Sequence, residues 1–233
     1  MPDHDHIYSS EAERYELLIS REDYERNIMK AMARILPDLE ELDAVDIGAG
    51  TGRLACLLAP HVKSVVAADT SQAMLDVAAA KLKRMGAANW ETRVADHRAL
   101  PVADHSVDLV TAGWTICYLA NTNVENWRTR LDTVIAEVRR ILRLPGTAII
   151  FENFGTGFEQ PNPPDFLKSY YQTLESDYGF THEYIRTDYR FDSIDEAERL
   201  TRFFFGDWLA ERVIAGQQRI VPECTGIWWK KFR

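Results

Sequence analysis

The sequence predicts an α/β fold in which a mostly parallel sheet is covered by helices on both faces. Three observations predict it. Short apolar runs alternate along the chain with stretches whose apolar residues recur at helical spacing. Several of the runs are apolar at successive positions, which is typical of strands buried on both faces. The alternation itself indicates parallel strands joined by helices.

The first half of the chain is expected to begin with helices and to continue through two strand-helix units. Residues 11–36 are expected to form two helices that meet near Ser20, and Pro37 ends the second. The next predicted elements are a strand at 44–47, a short helix at 53–60, a strand at 64–68 that closes on Asp69, and a helix that begins at Ser71 and is capped by Gly86.

The second half is expected to complete the sheet and to add helices beyond it. The predicted elements are strands at 90–95 and 107–112, a helix with an apolar stripe at 131–142, a strand at 148–151, an aromatic helix at 166–178, an extended run at 181–191 and a strand at 225–229. Between the last two, Ser193 and Glu196 have the spacing of a capping box and predict a further helix start.

Composition indicates a folded globular chain and argues against two classes of partner. Hydrophobic residues make up 46% of the 233 residues and charged residues 27%. The formal charge of −9 opposes binding to nucleic acid, and no uncharged apolar stretch is long enough to span a membrane. The start of the chain lacks the basic and apolar regions of a signal peptide, so we expect a cytoplasmic protein. The three cysteines stand far apart and suggest buried thiols, with no metal site.

A glycine-rich turn follows the first predicted strand. Gly48, Gly50 and Gly52 lie between that strand and a helix, where backbone can approach a ligand closely and unpaired N–H groups are available. The spacing is G-x-G-x-G rather than the G-x-G-x-x-G of dinucleotide sites, and the Walker lysine is absent. The turn therefore favours a nucleotide-like cofactor other than a nicotinamide dinucleotide or a nucleoside triphosphate.

Two acidic residues stand at the ends of the second and third predicted strands. Asp69 is placed where a carboxylate can accept hydrogen bonds from both hydroxyls of an adenosine ribose. Asp96 is placed to accept a hydrogen bond from an exocyclic amine, such as that of adenine. Together with the glycine turn, they predict an adenosine-binding site.

These motifs resemble those of class I S-adenosylmethionine-dependent methyltransferases, in their small-molecule (type 11-like) branch. VDIGAGTGRL is similar to the first motif, VVAADTSQAML to the second, and VADHRALPVADHSVDLVTAGWTICYL to the third and fourth. The resemblance covers about residues 43–152 and implies a Rossmann-like methyltransferase fold with a seven-stranded sheet and a helical cap. It implies S-adenosylmethionine as cofactor, bound by Asp46, Gly48, Ala49, Gly50, Gly52, Asp69, Thr70, Met74, Asp96, His97, Gly113 and Trp114.

Within this resemblance, Thr70 or Ser71 would pack on adenine, and Gly113 and Trp114 would lie near the methionine portion. The chain departs from many relatives at residues 144–147, where it reads Leu-Pro-Gly-Thr instead of Lys-Pro-Gly-Gly. The Asn/Asp-Pro-Pro-Tyr signature of base and amide methylation is absent after the fourth strand. That absence argues against DNA, RNA or a glutamine side-chain amide as the methyl acceptor.

The chain is expected to form a single domain over residues 1–233. We expect an N-terminal helical lid at 1–40, a cofactor-binding core at 41–153, and cap helices with terminal strands at 154–233. The acceptor would be a small molecule that is methylated at O, N or C. The chain could also form a homodimer. Candidate bases, by residue type alone, are His97, Tyr118, Glu152 and His182.

Three other functions are compatible with the sequence. The chain could bind the cofactor without catalysis, since a fold alone does not establish activity. It could methylate a protein or RNA, although the acidic charge counts against RNA. A nicotinamide-dependent oxidoreductase is disfavoured by the spacing of the glycines.

Overall fold

The computed structural model describes residues 4–233, apart from the side chain of Asp5. The helices are α1 (His4–Ser10), α2 (Ala12–Ile19), α3 (Asn27–Ile35), α4 (Arg53–Leu58), α5 (Gln72–Arg84), α6 (Trp127–Ile141), α7 (Asp165–Ser176), α8 (Ile194–Phe205) and α9 (Asp207–Gly216). The strands are β1 (Asp43–Ile47), β2 (Ser64–Asp69), β3 (Trp90–Val94), β4 (Val107–Gly113), β5 (Leu142–Thr156), β6 (Thr181–Arg186), β7 (Tyr189–Arg190), β8 (Ile220–Val221) and β9 (Glu223–Phe232).

Seven strands form one sheet in the order β3-β2-β1-β4-β5-β9-β6. The first five in that order pair in parallel, and β9 lies antiparallel between β5 and β6. The prediction of an α/β fold with a mostly parallel seven-stranded sheet is therefore confirmed. Strands β7 and β8 form a separate pair outside this sheet.

Helices cover both faces of the sheet, as predicted. One apolar cluster joins the sheet to α6 and α7, and a second joins the opposite face to α3, α4 and α5. A third cluster joins α2, β7, α8 and α9 away from the sheet. Burial of these apolar faces is the main stabilising contribution, since the hydrophobic effect scales with the apolar area removed from water.

Several element boundaries differ from those predicted. β5 runs from Leu142 to Thr156, well beyond its predicted apolar centre at 148–151, because β9 supplies antiparallel hydrogen bonds along nearly its whole length. The extended run at 181–191 divides after Arg186, where the chain leaves the sheet to pair with β8. Helices α1 and α9 were not predicted. α9 directly follows Gly206, whose positive φ of 86° ends α8 and redirects the chain.

Two predicted helix signals are present with local differences. α2 ends at Ile19 and α3 begins at Asn27, so residues 20–26 separate the two helices that were expected to meet near Ser20. At α8, the N–H of Glu196 donates to the Ser193 hydroxyl at 3.0 Å. The Glu196 carboxylate accepts in return from the N–H of Asp192, one residue before the position that a capping box uses.

The parallel strands bring their carboxyl ends to one edge of the sheet. The turn after β1, the last residue of β2 and the last residue of β4 therefore lie together, although they are far apart in the chain. Open α/β sheets bind ligands at this edge. Among residues 4–233, no helix is long and apolar enough to cross a bilayer.

Candidate functional site

A cavity of about 590 Å³ opens at the carboxyl ends of the parallel strands. Its volume lies within the usual range for small-molecule and cofactor sites. Eleven of the twelve residues predicted to bind the cofactor line it, namely Asp46, Gly48, Ala49, Gly50, Asp69, Thr70, Met74, Asp96, His97, Gly113 and Trp114. Gly52 does not line it.

The three glycines of the turn serve different purposes, although all have positive φ. A Cβ on Gly48 would lie 2.0 Å from the Thr115 hydroxyl oxygen, so this glycine permits close contact with the loop after β4. A Cβ on Gly52 would lie 2.7 Å from that of Ala78, so this glycine permits α4 to pack on α5. A Cβ on Gly50 would meet nothing within 4 Å, which leaves its cavity side open to a ligand.

Asp46 is buried, and its carboxylate is committed to holding the site together. Its Oδ1 accepts from the Thr111 hydroxyl at 2.8 Å, and its Oδ2 accepts from the N–H of Ala55 at 3.1 Å. Burial raises the pKa of this carboxyl to about 7, against the lowering effect of the two hydrogen bonds. Asp46 thus ties β1 to β4 and to the first turn of α4, beneath the glycine turn.

Asp69 fixes the conformation of two neighbouring loops and still faces the cavity. Its Oδ2 accepts from the N–H of Gly50 at 2.9 Å, and its Oδ1 accepts from the N–H of Ser71 at 2.8 Å. Each carboxylate oxygen carries two lone pairs, so acceptor capacity remains on both. The carboxylate is therefore held in place by backbone donors and can accept further hydrogen bonds from a ligand in the cavity.

Asp96 and His97 lie side by side at the end of β3. Arg98 donates to the Asp96 carboxylate through Nε and Nη2, both at 2.7 Å, and these bonds hold the pKa of that carboxyl at about 2. His97 Nε2 lies 2.7 Å from the Thr115 hydroxyl oxygen, and burial lowers the pKa of the imidazole. At neutral pH the cavity therefore has an ionised Asp96 beside a neutral His97.

Only two of the four candidate bases reach the cavity. His97 and Tyr118 line it, whereas Glu152 and His182 do not. His182 stacks on Trp228 with ring centroids 4.4 Å apart, on β6 and β9.

Glu152 is fully buried beneath the short 3-10 turn Ile116–Tyr118. Its Oε1 accepts from the N–H of Cys117 at 3.0 Å and from the Tyr170 hydroxyl at 3.3 Å. Burial raises the pKa of this carboxyl to about 7. Glu152 therefore supports the wall of the cavity from behind instead of acting as a base on a ligand.

Glu152→Gln is expected to change how stability depends on pH. The pKa of Glu152 rises from 4.5 to about 7 on folding, so the folded chain binds the proton more tightly than the unfolded chain. The resulting stabilisation is present below about pH 4.5 and is lost as pH rises through about 7, by about 3 kcal/mol. Urea unfolding at pH 5 and pH 8 should show wild type losing this much relative to the variant. An equal difference at both pH values would contradict the assignment.

Aromatic residues from the N-terminal helix and from α8 close the cavity. The Ser71 hydroxyl donates to the carbonyl oxygen of Tyr8 at 3.0 Å, which fixes α1 to the start of α5. The hydroxyls of Tyr8 and Tyr118 lie 2.5 Å apart. His4 stacks on Phe204 with ring centroids 4.5 Å apart. The N-terminal segment therefore covers the cavity; residues 1–3 of the expected lid lie outside the described residues.

A charged inner wall was not predicted from the sequence. Arg53 Nη1 donates to Glu22 Oε2 at 2.7 Å, and the guanidinium lies over the Trp114 ring at 4.1 Å from its centroid. Glu223 lines the same cavity and is only 2% exposed. Arg53 directly follows the glycine turn, which was its only signal. Glu22 and Glu223 come from opposite ends of the chain, and no local sequence pattern marked either of them.

Known proteins with similar sequences include methyltransferases. The sequence model of a family described as "Methyltransferase domain" matches residues 45–150. A malonyl-(acyl-carrier protein) O-methyltransferase of Methylococcus capsulatus is 37% identical over 117 residues, which cover 48% of this chain and 37% of the relative. A ubiquinone/menaquinone biosynthesis C-methyltransferase of Rubrivivax gelatinosus is 28% identical over 152 residues, which cover 64% of this chain and 55% of the relative. The chain spans about half the length of the curated relatives it matches.

Solved structures show the same fold. The crystal structure of an S-adenosylmethionine-dependent methyltransferase from Aquifex aeolicus matches with a TM-score of 0.55 at 16% identity, covering 86% of this chain and 88% of that one. The resemblance of the sequence motifs is thus confirmed by a family match over residues 45–150 and by the fold. Residues 45–150 match the methyltransferase domain family, and the chain has the Rossmann-like fold of this methyltransferase structure.

Proposed function

We propose that this protein is an S-adenosylmethionine-dependent methyltransferase that acts on a small-molecule acceptor. The observation that carries the proposal is the open side of Gly50 next to the fixed carboxylate of Asp69, in a cavity of about 590 Å³. The family match at residues 45–150 supports the same cofactor.

The residues at the cavity fit the cofactor. Asp69 would accept from the ribose hydroxyls with its remaining lone pairs. Thr70 or Ser71, Asp96 and His97 would lie near the adenine, as the resemblance implies, and Met74 lines the same cavity. The backbone at Gly48, Ala49 and Gly50, together with Gly113 and Trp114, would border the methionine portion.

Arg53 is a further candidate for holding the methionine portion. Its Nη2 is buried and has no hydrogen-bond partner among residues 4–233, while its guanidinium stacks on Trp114. A buried guanidinium donor without an acceptor is costly, and a carboxylate is the acceptor that matches it best. We therefore assign Arg53 Nη2 to the carboxylate of the cofactor's amino-acid end.

When bound, the cofactor supplies a methyl group on a sulfonium, which leaves as a neutral thioether. This chain's own residues align the acceptor with that methyl group and exclude water. Tyr8, Tyr118 and Phe204 close the cavity above the strand ends, which supports a role for residues 1–40 as a lid over the 41–153 core. Residues 154–233 would contribute the cap on the acceptor side.

A partly enclosed cavity of about 590 Å³ supports a small molecule as acceptor. Both curated relatives described above are named as methyltransferases, one of malonyl-(acyl-carrier protein) and one of ubiquinone/menaquinone biosynthesis. The net charge of −9 supports the absence of a nucleic-acid partner. We further propose that the protein is cytoplasmic, and a homodimer is compatible with this proposal.

Isothermal titration calorimetry with S-adenosylmethionine and S-adenosylhomocysteine tests the proposal. We expect saturable one-to-one binding of both, and labelled methyl transfer from S-adenosylmethionine into a pool of small metabolites. Absence of binding by either compound would refute the cofactor. Binding without transfer to any acceptor would favour a non-catalytic protein, and an absorbance titration with reduced nicotinamide cofactor separates the oxidoreductase alternative.

A further inference from the structure

Glu223 is the buried group on the cavity wall that the cofactor assignment does not use. It lies at the start of β9, beside the carboxyl end of β5. Its side chain is 2% exposed, and its Oε2 has no hydrogen-bond partner among the described residues. A buried carboxyl with an unpaired oxygen that borders a cavity needs a donor from the cavity side, which water or a ligand can supply.

The charges around the cavity decide which donor fits. Five acidic residues line it, namely Glu22, Asp46, Asp69, Asp96 and Glu223. The basic side chains that line it are Arg53, His4 and His97. Arg53 is paired with Glu22 and Arg98 with Asp96, and burial lowers the pKa of His97 and raises the pKa values of Asp46 and Glu223. Asp69 remains as a negative charge that is held by backbone donors alone. The cavity therefore opposes a second anion beside the cofactor's carboxylate, and favours a neutral or cationic acceptor.

The surroundings of Glu223 match a protonated amine. Glu22 is already neutralised by Arg53, so it does not compete with Glu223 for a cation. Burial raises the pKa of the Glu223 carboxyl well above its usual range, and the nearby Glu22 adds to this rise while Arg53 opposes it. The rings of Tyr15, Tyr189 and Phe205 line the same cavity. Aromatic faces attract cations, so carboxyl and rings together suit an ammonium group on an apolar body.

We propose that the acceptor is an amine, and that Glu223 binds its nitrogen as an ammonium ion inside the cavity. This inference rests on the proposed methyltransferase function and names the substrate class for the same site. A neutral amine that enters takes the proton of the Glu223 carboxylic acid and forms an ion pair with the carboxylate.

The transfer step balances with the groups already named. The ammonium returns one proton to the Glu223 carboxylate, which frees the nitrogen lone pair. That pair forms the new N–C bond to the methyl group of S-adenosylmethionine while the C–S bond breaks and its electrons go to sulfur. The products are a methylated ammonium ion, S-adenosylhomocysteine and a protonated Glu223.

Three probes that share a phenylethyl group test the proposal: phenethylamine, 2-phenylethanol and 3-phenylpropionate. Each is titrated by calorimetry into wild-type protein saturated with S-adenosylhomocysteine. We expect the amine to bind at least about tenfold more tightly than the carboxylate. Glu223→Gln should lower the affinity for the amine by about tenfold or more and change the affinity for the alcohol by less than about threefold.

Glu125→Gln is the matched control, because Glu125 is exposed and does not line the cavity. It should leave all three affinities unchanged. Glu223→Asp keeps the carboxyl but shortens the side chain by one methylene, so it should bind the amine with an intermediate affinity. This variant tests the proposal if Glu223→Gln does not fold.

The proposal is overturned if the carboxylate binds more tightly than the amine, if Glu223→Gln leaves amine affinity unchanged, or if none of the probes binds to protein that does bind S-adenosylhomocysteine. Failure of wild type to bind S-adenosylhomocysteine would refute the proposed function itself. The two failures are therefore distinguishable in one set of titrations.

Discussion

Asp69→Ala is expected to lower the affinity for S-adenosylhomocysteine by about 100-fold. The carboxylate would accept two charge-assisted hydrogen bonds from the ribose, and their loss costs about 3 kcal/mol in total. The same carboxylate accepts from the N–H groups of Gly50 and Ser71, so the substitution also releases the glycine turn and the start of α5. Both effects weaken binding, and calorimetry measures their sum.

Asp76→Ala is the matched control for this prediction. Asp76 lies on α5 with an exposed side chain, and its carboxylate accepts from Gln72 on the same helix. Its replacement should leave the affinity within about twofold of wild type, because a surface interaction of this kind contributes little. An Asp69→Ala variant that binds as tightly as this control would refute the ribose assignment.

Gly50→Ala and Gly86→Ala form a pair that separates strain from ligand contact. Both glycines have positive φ, 53° and 72°, and in both cases an added Cβ would meet nothing within 4 Å. Each substitution should therefore cost about 1 kcal/mol of stability through the left-handed backbone alone. Only Gly50 borders the cavity, so only Gly50→Ala should lose S-adenosylhomocysteine affinity, by about tenfold or more.

Urea unfolding measures the stability of the two variants, and calorimetry measures their affinities. Similar losses of stability with unequal losses of affinity would support close approach of the cofactor to Gly50. If the two variants bound S-adenosylhomocysteine equally well, the cofactor would not pass over this glycine, and the assignment of the turn would be wrong.

The sheet was predictable because each central strand carries its own local signal. The apolar runs at 44–47, 64–68 and 107–112 lie within β1, β2 and β4, because strands buried on both faces need apolar residues at successive positions. The antiparallel partner β9 set the length of β5, and that pairing joins residues far apart in the chain. No local pattern could have given it.

The cofactor half of the candidate site was predictable for a similar reason. The parallel topology places the ends of β1, β2 and β4 at one edge, so the glycine turn, Asp69 and Gly113 must meet. Gly52 is the exception among the glycines. Its spacing matches the motif, but its absence of a Cβ serves the packing of α4 on α5, and only the position of Ala78 reveals this.

The acceptor half depended on contacts that no motif encodes. The inner wall joins Glu22 from the N-terminal segment, Arg53 from α4 and Glu223 from β9, and long-range folding alone brings them together. Both Glu152 and Glu223 are buried, and their position relative to the cavity separates them, because Glu152 lies behind the wall whereas Glu223 borders the cavity. Local periodicity and strand-end residues thus predicted the fold and the edge of the sheet where the candidate cofactor residues meet. The electrostatics of the acceptor pocket followed only from desolvation and pairing in the folded chain.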